Sequence, residues 1–184
     1  KESAYVEAAI AFLKSGNNIH KQNVFSTFGE FYLAGYGKGA AALELWAAAN
    51  PIFVISQAFV NAASAGKAVL EEAGSALYDG SNTSGYDAGF KTDAEFQAVL
   101  KECGMEQIAR KDVPVPTWFA GTSSADSVDY WKEANDCVSN ADGEGVYRQD
   151  KDSDAIQTAF ANAQLPASER YGISQVKVSS ETPS

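Results

Sequence analysis

The segment Phe31–Pro51 constrains the fold of this chain more than any other. It opens with four apolar residues, which predict a short buried strand at Phe31–Ala34. A Gly-Tyr-Gly-Lys-Gly turn at residues 35–39 comes next, and an alanine-rich helix follows it. The helix is expected to end at Asn50, because a proline cannot continue a helix. A strand, a tight turn and a helix in this order predict a βαβ unit with a parallel sheet.

The remaining apolar segments extend this prediction along the chain. Further strands are expected at Ile52–Ser56, Val115–Ala120 and Ile173–Val178. These three and Phe31–Ala34 are expected to share one sheet, in which the first three strands along the chain are parallel neighbours. Helices are expected at about residues 3–14, 66–73, 93–103, 126–136 and 156–163. Residues 74–92 predict a long loop insertion, and residues 137–154 predict an exposed acidic loop. The whole chain, 1–184, is therefore expected to form one α/β domain with a mostly parallel sheet and helices on both faces.

Composition narrows the possible partners. The 184 residues carry a formal net charge of -10, which disfavours nucleic acid and anionic membranes as partners. No apolar run approaches the roughly 18 residues that a membrane span requires. The opening residues do not form a signal-peptide pattern, so the sequence leaves the localisation unknown. Cys103 and Cys137 lack zinc-ligand spacing, and the sequence does not decide whether they form a single disulfide bridge or remain two buried thiols. No cofactor or metal is expected.

Two motifs carry a resemblance to a known family. The turn at residues 35–39 lies where a nucleophile elbow, G-x-S-x-G, would join a strand to a helix. Downstream, Gly-Thr-Ser-Ser-Ala-Asp at residues 121–126 is followed by Val128, Tyr130-Trp131 and Ala-Asn-Asp-Cys at residues 134–137. In this order the motifs resemble the secreted α/β-hydrolases of the polyhydroxybutyrate-depolymerase and feruloyl-esterase type, over most of residues 5–137. The resemblance implies an α/β-hydrolase fold, carboxylic-ester hydrolysis on a polyester or feruloylated carbohydrate, and an extracytoplasmic or secreted location.

Carried over by position, the resemblance assigns roles to four residues. Gly37 stands in the nucleophile position, Lys38 would supply a backbone N–H to the oxyanion hole, and Tyr36 would lie against the substrate. Asp126 is the candidate triad acid, with Asp129 as a rival and a helix N-cap as an equally good structural role for Asp126. Because glycine adopts the strained elbow conformation with little penalty, a positive φ is predicted at Gly37.

The chain departs from the family in two ways that bear on function. It has no histidine after the elbow, and His20 precedes the elbow, on the wrong side in chain order for a triad base. Only about 30 residues precede the elbow strand, so we expect the central and later part of a larger domain, lacking N-terminal strands and associating with them or with another chain.

The leading hypothesis is therefore a catalytically degenerate esterase relative. One alternative is an active esterase completed by flanking sequence or by a second chain. Another is a binding or structural module that uses the pocket above the elbow for an ester or carbohydrate-linked molecule. A nucleotide-phosphate binder using the glycine turn is the third alternative, and it lacks the Lys-Ser/Thr pair of such sites.

Overall fold

The computed structural model describes residues 2–14, 31–76, 109–140, 145–149 and 175–179, together with the single helical positions 98 and 101. The helices are α1 (Glu2–Lys14), α2 (Gly37–Ala49), α3 (Lys67–Ser75) and α4 (Ala125–Ala134). The strands are β1 (Phe31–Tyr36), β2 (Val54–Val60), β3 (Thr117–Ala120), β4 (Cys137–Asn140), β5 (Val146–Gln149) and β6 (Gln175–Ser179). Short 3₁₀ turns lie at Pro51–Phe53 and Arg110–Asp112.

The strands form one mixed sheet in the order β1-β2-β3-β6-β5-β4. Strands β1, β2, β3 and β6 are parallel neighbours, whereas β5 and β4 are added in antiparallel pairs. The four apolar segments identified in the sequence therefore share one sheet, and the first three are parallel neighbours, as predicted. The fold is mixed α/β with a mostly parallel sheet.

Prolines shift two of the predicted strand boundaries. Strand β2 begins at Val54 and not at residue 52, because Pro51–Phe53 forms a 3₁₀ turn with the proline at its start. Strand β3 begins at Thr117, after Pro114 and Pro116, which have no N–H to donate to the ladder. The carbonyl of Pro116 still accepts the N–H of Gln57 at 2.9 Å, so the chain enters the sheet at this proline.

The acidic segment 137–154 is not a continuous exposed loop. It contains β4 and β5, which form an antiparallel pair on the far side of β6. Gly145 turns the chain into β5 with φ +82°, and its carbonyl accepts the N–H of Val178 at 2.6 Å. Hydrogen bonds to β6 thus satisfy backbone groups of this segment. Its charged residues make the two short strands difficult to recognise from the sequence. The loop predicted at 74–92 starts later than expected, because α3 continues to Ser75. The remaining expectations for residues 77–92 and 156–163, and for all of 93–103 except positions 98 and 101, lie outside the described residues.

The described helices form a single layer against one face of the sheet, so the expectation of helices on both faces is wrong for the described residues. Helix α1 packs on α2, α2 on α3, and α3 on α4, while α2 also packs on β1 and β2. Right-handed crossovers between successive parallel strands place their helices on the same face. The core between the layers contains Phe59 and Phe119 from the sheet and Trp46 and Trp131 from the helices, all buried. Trp131 is thus a core residue, as its position in the helical pattern predicted.

Candidate functional site

The elbow lies at the junction of β1 and α2. Tyr36, the last residue of β1, is extended with φ -125° and ψ 138°. Gly37 then opens α2 with φ +54°, which confirms the positive φ predicted for this position. A Cβ added to Gly37 would meet no heavy atom within 4 Å, so the turn has room for a side chain that this residue lacks.

The two glycines on either side of the apex differ in their packing. A Cβ on Gly35 would lie 2.6 Å from the Cα of Ala40, so a glycine is required for α2 to approach β1 this closely. Gly39 does not contribute to this close packing. A Cβ on Gly39 would contact nothing within 4 Å, because this residue lies on the open side of the first turn of α2.

The carboxyl ends of the parallel strands form a hydrogen-bonded rim. Gly37, Asn61 and Gly121, which follow β1, β2 and β3, all have positive φ values, of 54°, 47° and 72°. The N–H of Ala63 donates to the carbonyl of Gly37 at 3.0 Å, and the N–H of Thr122 donates to Asn61 Oδ1 at 3.0 Å. The N–H of Gly121 donates to the last residue of β6 at 2.8 Å. Ligands of open α/β sheets bind at this edge, so the rim is a candidate site.

The side chains predicted for the site are mostly exposed on this rim. Tyr36 is 69% exposed, and Lys38 is exposed in the first turn of α2, where backbone N–H groups have no partner within the helix. Asp126 is exposed in the first turn of α4. The alternative N-cap role for Asp126 is wrong, because Ser124 occupies that position. Asp129 is exposed further along the same helix, and His20 lies outside the described residues.

The structure brings together a buried group that the sequence analysis did not identify. Glu44, on α2, is only 1% exposed. Its Oε2 accepts the hydroxyl proton of Ser127 at 3.0 Å, and its Oε1 accepts the indole N–H of Trp131 at 3.1 Å. The backbone N–H of Ala65 also donates to this carboxylate. We call Glu44, Ser127, Trp131, Ala65 and Ser64 the Glu44 network.

The Glu44 network joins three parts of the chain. Ser127 and Trp131 belong to α4, and Ala65 belongs to the loop between β2 and α3. In the same loop, Ser64 Oγ lies 3.1 Å from Ser127 Oγ and accepts the N–H of Gly66 at 2.8 Å. The carboxylate on α2 therefore holds the β2–α3 loop and α4 in place together.

Burial controls the protonation of Glu44. Desolvation raises the pKa of Glu44 to about 7, although the hydrogen bonds from Ser127, Trp131 and Ala65 act in the opposite direction. Burial and the nearby charge of Glu44 also raise the pKa of Tyr130. Because Glu44 is only 1% exposed, it is not placed to contact a ligand bound at the rim. One sequence signal could have identified it, namely a charged residue between Leu43 and Leu45 in a helix whose other charged residue, Lys38, lies in its first turn.

Two further observations limit the chemistry available. Within the described ranges, no three His, Cys, Asp or Glu side chains lie together as a metal site would need. Cys137 has a free thiol 3.5 Å from the carbonyl oxygen of Tyr147, and burial raises its pKa to about 11, so it is not an activated nucleophile. None of the described helices is long and apolar enough to cross a membrane.

Comparison of the chain with protein-family models, with curated proteins and with solved structures gives no match.

Proposed function

We propose that this chain is a catalytically degenerate relative of carboxylic-ester hydrolases of the polyester-depolymerase and feruloyl-esterase type. On this proposal it retains the elbow as a binding surface and has lost the nucleophile. The observation that carries the proposal is the strand–turn–helix at Gly37, where a positive φ is combined with the absence of a side chain. The motif order along the chain supports the relationship, and the missing oxygen supports the loss of turnover.

Ester hydrolysis by an elbow enzyme needs an attacking oxygen, a base that takes its proton and an acid that orients the base. Gly37 offers no oxygen. Tyr36 precedes the apex, and the Ser127 hydroxyl on α4 is fully buried against Glu44. Asp126 is exposed, whereas an orienting acid is buried and hydrogen-bonded to its histidine. These placements favour binding of an ester over its hydrolysis.

Two groups of the rim support a binding role. The first-turn N–H of Lys38 has no partner within α2 and can donate to an ester carbonyl. The exposed ring of Tyr36 lies beside it in sequence and offers apolar surface for the acyl chain. On this proposal the ligand is a small ester or the ester unit of a polymer.

Hydrolysis of p-nitrophenyl butyrate tests the loss of catalysis. The unmodified chain should not exceed a Gly37→Ala control, and Gly37→Ser should restore no substantial turnover, because the serine would have no base within reach. Enzymes stripped of their triads retain roughly 10³-fold over water, which sets the highest rate that the proposal allows. Substantial turnover by Gly37→Ser would reveal a base and overturn the degenerate assignment. Turnover that appears only in a longer chain or with a second chain would favour the completed esterase.

Calorimetric titration with methyl 3-hydroxybutyrate tests the binding role. Tyr36→Ala should weaken binding, whereas Tyr5→Ala, at an exposed tyrosine on α1, should not. Equal effects of the two substitutions, or no binding at all, would contradict a site at the elbow.

A further inference from the structure

Three side chains of the Glu44 network form a chain that runs from the interior towards the surface. Glu44 and Ser127 are buried, whereas Ser64 is partly exposed in the β2–α3 loop. Ser127 Oγ lies 3.0 Å from Glu44 Oε2 and 3.1 Å from Ser64 Oγ. The Ser127 hydroxyl is therefore within hydrogen-bond distance of an oxygen atom on each side.

When Glu44 is ionised, the number of available hydrogens determines the direction of this chain. A carboxylate only accepts hydrogen bonds, and a serine hydroxyl has a single hydrogen to donate. Ser127 donates its hydrogen to Glu44 Oε2, so the bond between the two serines must be donated by Ser64. Both hydroxyl hydrogens then point towards the carboxylate.

When Glu44 is protonated, its O–H needs an acceptor within the network. Three groups bond the carboxyl group, and two of them, the indole N–H of Trp131 and the backbone N–H of Ala65, can only donate. The Ser127 hydroxyl is the third, and it can accept the proton if it turns its own hydrogen to Ser64 Oγ. Ser64 can then no longer donate to Ser127, and its hydrogen is free to turn towards solvent.

The outer end of this chain lies at a junction of the backbone. Ser64 Oγ accepts the N–H of Gly66 at 2.8 Å, and the carbonyl of Gly66 accepts the N–H of Leu70 at 3.1 Å at the start of α3. The N–H of Ala63, the residue before Ser64, donates to the carbonyl of Gly37 at the apex of the elbow. A change in the hydrogen bonds of Ser64 therefore acts on the loop that joins the elbow to α3.

The surroundings of Glu44 allow its carboxyl group to change protonation state. Within the described part of the chain, Glu44 is the only charged side chain that is buried. Tyr130 on α4 is a buried titratable neighbour, and burial and the charge of Glu44 raise its pKa, so it stays protonated near neutral pH. Burial is the largest influence on Glu44 itself and raises its pKa to about 7. The charged groups on the surrounding elements are exposed or partly exposed, and they include Glu7 on α1, Lys38 on α2, Lys67 and Glu71 on α3, Asp112 in the 3₁₀ turn, and Asp126 and Glu133 on α4.

We propose that Glu44, Ser127 and Ser64 form a hydrogen-bond relay that reverses its direction when Glu44 takes up a proton. The relay transmits the protonation state of a buried carboxyl group to the β2–α3 loop beside the elbow. It is a pH-sensitive device of the fold, and it does not rest on the function proposed for the elbow.

NMR titration of the full, isotope-labelled chain across neutral pH tests this proposal. The carboxyl carbon of Glu44 reports its pKa, and Ser64 Cβ should titrate with the same midpoint, because the Ser64 hydroxyl changes partner when Glu44 is protonated. Ser127→Ala interrupts the relay, so Ser64 Cβ should no longer titrate with Glu44. The amide of Ala65, which bonds the carboxyl group directly, should still do so.

Ser64→Ala removes the acceptor that the Ser127 hydroxyl needs only when Glu44 is protonated. The proton affinity of Glu44 should therefore fall about tenfold or more, because a buried donor without a partner disfavours the protonated form. Ser64→Thr keeps a hydroxyl group at this position and should retain the wild-type pKa of Glu44.

Ser75→Ala is the matched control for Ser64→Ala. Ser75 is an exposed serine on α3 whose hydroxyl donates to the carbonyl of Glu72 at 3.0 Å, outside the Glu44 network, so its loss should leave the pKa of Glu44 unchanged. Continued titration of Ser64 Cβ in Ser127→Ala would show a direct effect of the carboxylate charge and would overturn the relay. An unchanged pKa of Glu44 in Ser64→Ala would mean that Ser127 donates elsewhere. Equal effects of Ser64→Ala and Ser64→Thr would mean that the loop has moved, and either of these results would also overturn the proposal.

Discussion

Replacing Glu44 by Gln isolates the effect of one buried charge. The glutamine amide oxygen can accept the indole N–H of Trp131, and its NH₂ can donate to Ser127 Oγ. The Ser127 hydroxyl can then donate to Ser64 Oγ, which lies 3.1 Å away. Size and most of the hydrogen bonds are preserved, so the main change is the loss of an ionisable group.

The magnitude follows from the difference in pKa between the folded and unfolded states. The pKa of Glu44 is 4.5 without the fold and about 7 within it. Between these values the folded chain holds a proton that the unfolded chain has released, so the free energy of unfolding decreases as pH rises. Below pH 4.5 both states are protonated, and above about pH 7 both are ionised and the whole penalty applies. At 1.36 kcal/mol for each pKa unit, the penalty is about 3 kcal/mol.

Urea unfolding followed by circular dichroism at several pH values and constant ionic strength measures this effect. The stability of Glu44→Gln relative to the wild-type chain should increase by about 3 kcal/mol between pH 4.5 and about pH 8. Using the difference between the two proteins cancels the general repulsion among the other carboxylates, which also grows with pH. Equal m-values would show that the denatured state is unchanged.

Glu72→Gln is the control for a carboxylate without burial. Glu72 is exposed on α3, so its substitution should give a curve of stability against pH that runs parallel to the wild-type curve. Parallel curves for the wild-type chain and Glu44→Gln would refute the reasoning. That result would mean that the hydrogen bonds of the Glu44 network fully compensate the desolvation of the carboxylate.

Two further predictions concern glycines that the structure distinguishes. Gly35→Ala should destabilise the chain by about 2 kcal/mol or more in urea unfolding, because its Cβ would lie 2.6 Å from the backbone of Ala40. Gly39→Ala should be neutral or stabilising by up to about 1 kcal/mol, because its Cβ would lie in open space within α2. Equal effects would contradict the close packing of β1 on α2. Gly74→Ala should be destabilising because its Cβ would collide with the buried Tyr130 hydroxyl, and Tyr130→Phe should recover much of the loss. Additive effects would show that this collision is not the cause.

The parallel part of the sheet was predictable because its strands are apolar on a local scale. Buried parallel strands appear as short hydrophobic runs, and each of the four runs is preceded or followed by a residue that ends regular structure, such as Gly37 or Pro51. The conformation of Gly37 was predictable for a related reason, since a tight strand-to-helix turn permits few backbone conformations. Positive φ at Asn61 was not foreseen, because asparagine adopts both φ signs and only the loop after β2 decides between them.

The antiparallel strands and the Glu44 network depend on partners distant in sequence. Strand β5 has only four residues, and its pairing with β6 determines its conformation more than its own composition does. Glu44 meets Ser127 and Trp131, which lie 83 and 87 residues away. No local periodicity in the sequence predicts a contact over such a distance. The sequence could therefore have indicated that the carboxylate is buried, but it could not have indicated which groups donate hydrogen bonds to it.

The elbow keeps its geometry through backbone groups and not through the side chain of its apex. The Gly37 carbonyl is held by the N–H of Ala63, and the absence of a Cβ at Gly35 allows α2 to approach β1. The Glu44 carboxylate binds the N–H of Ala65, two residues beyond Ala63, and so fixes the loop that contacts the elbow. None of these interactions requires a serine at position 37. On the proposed function, loss of the nucleophile would therefore leave the elbow intact.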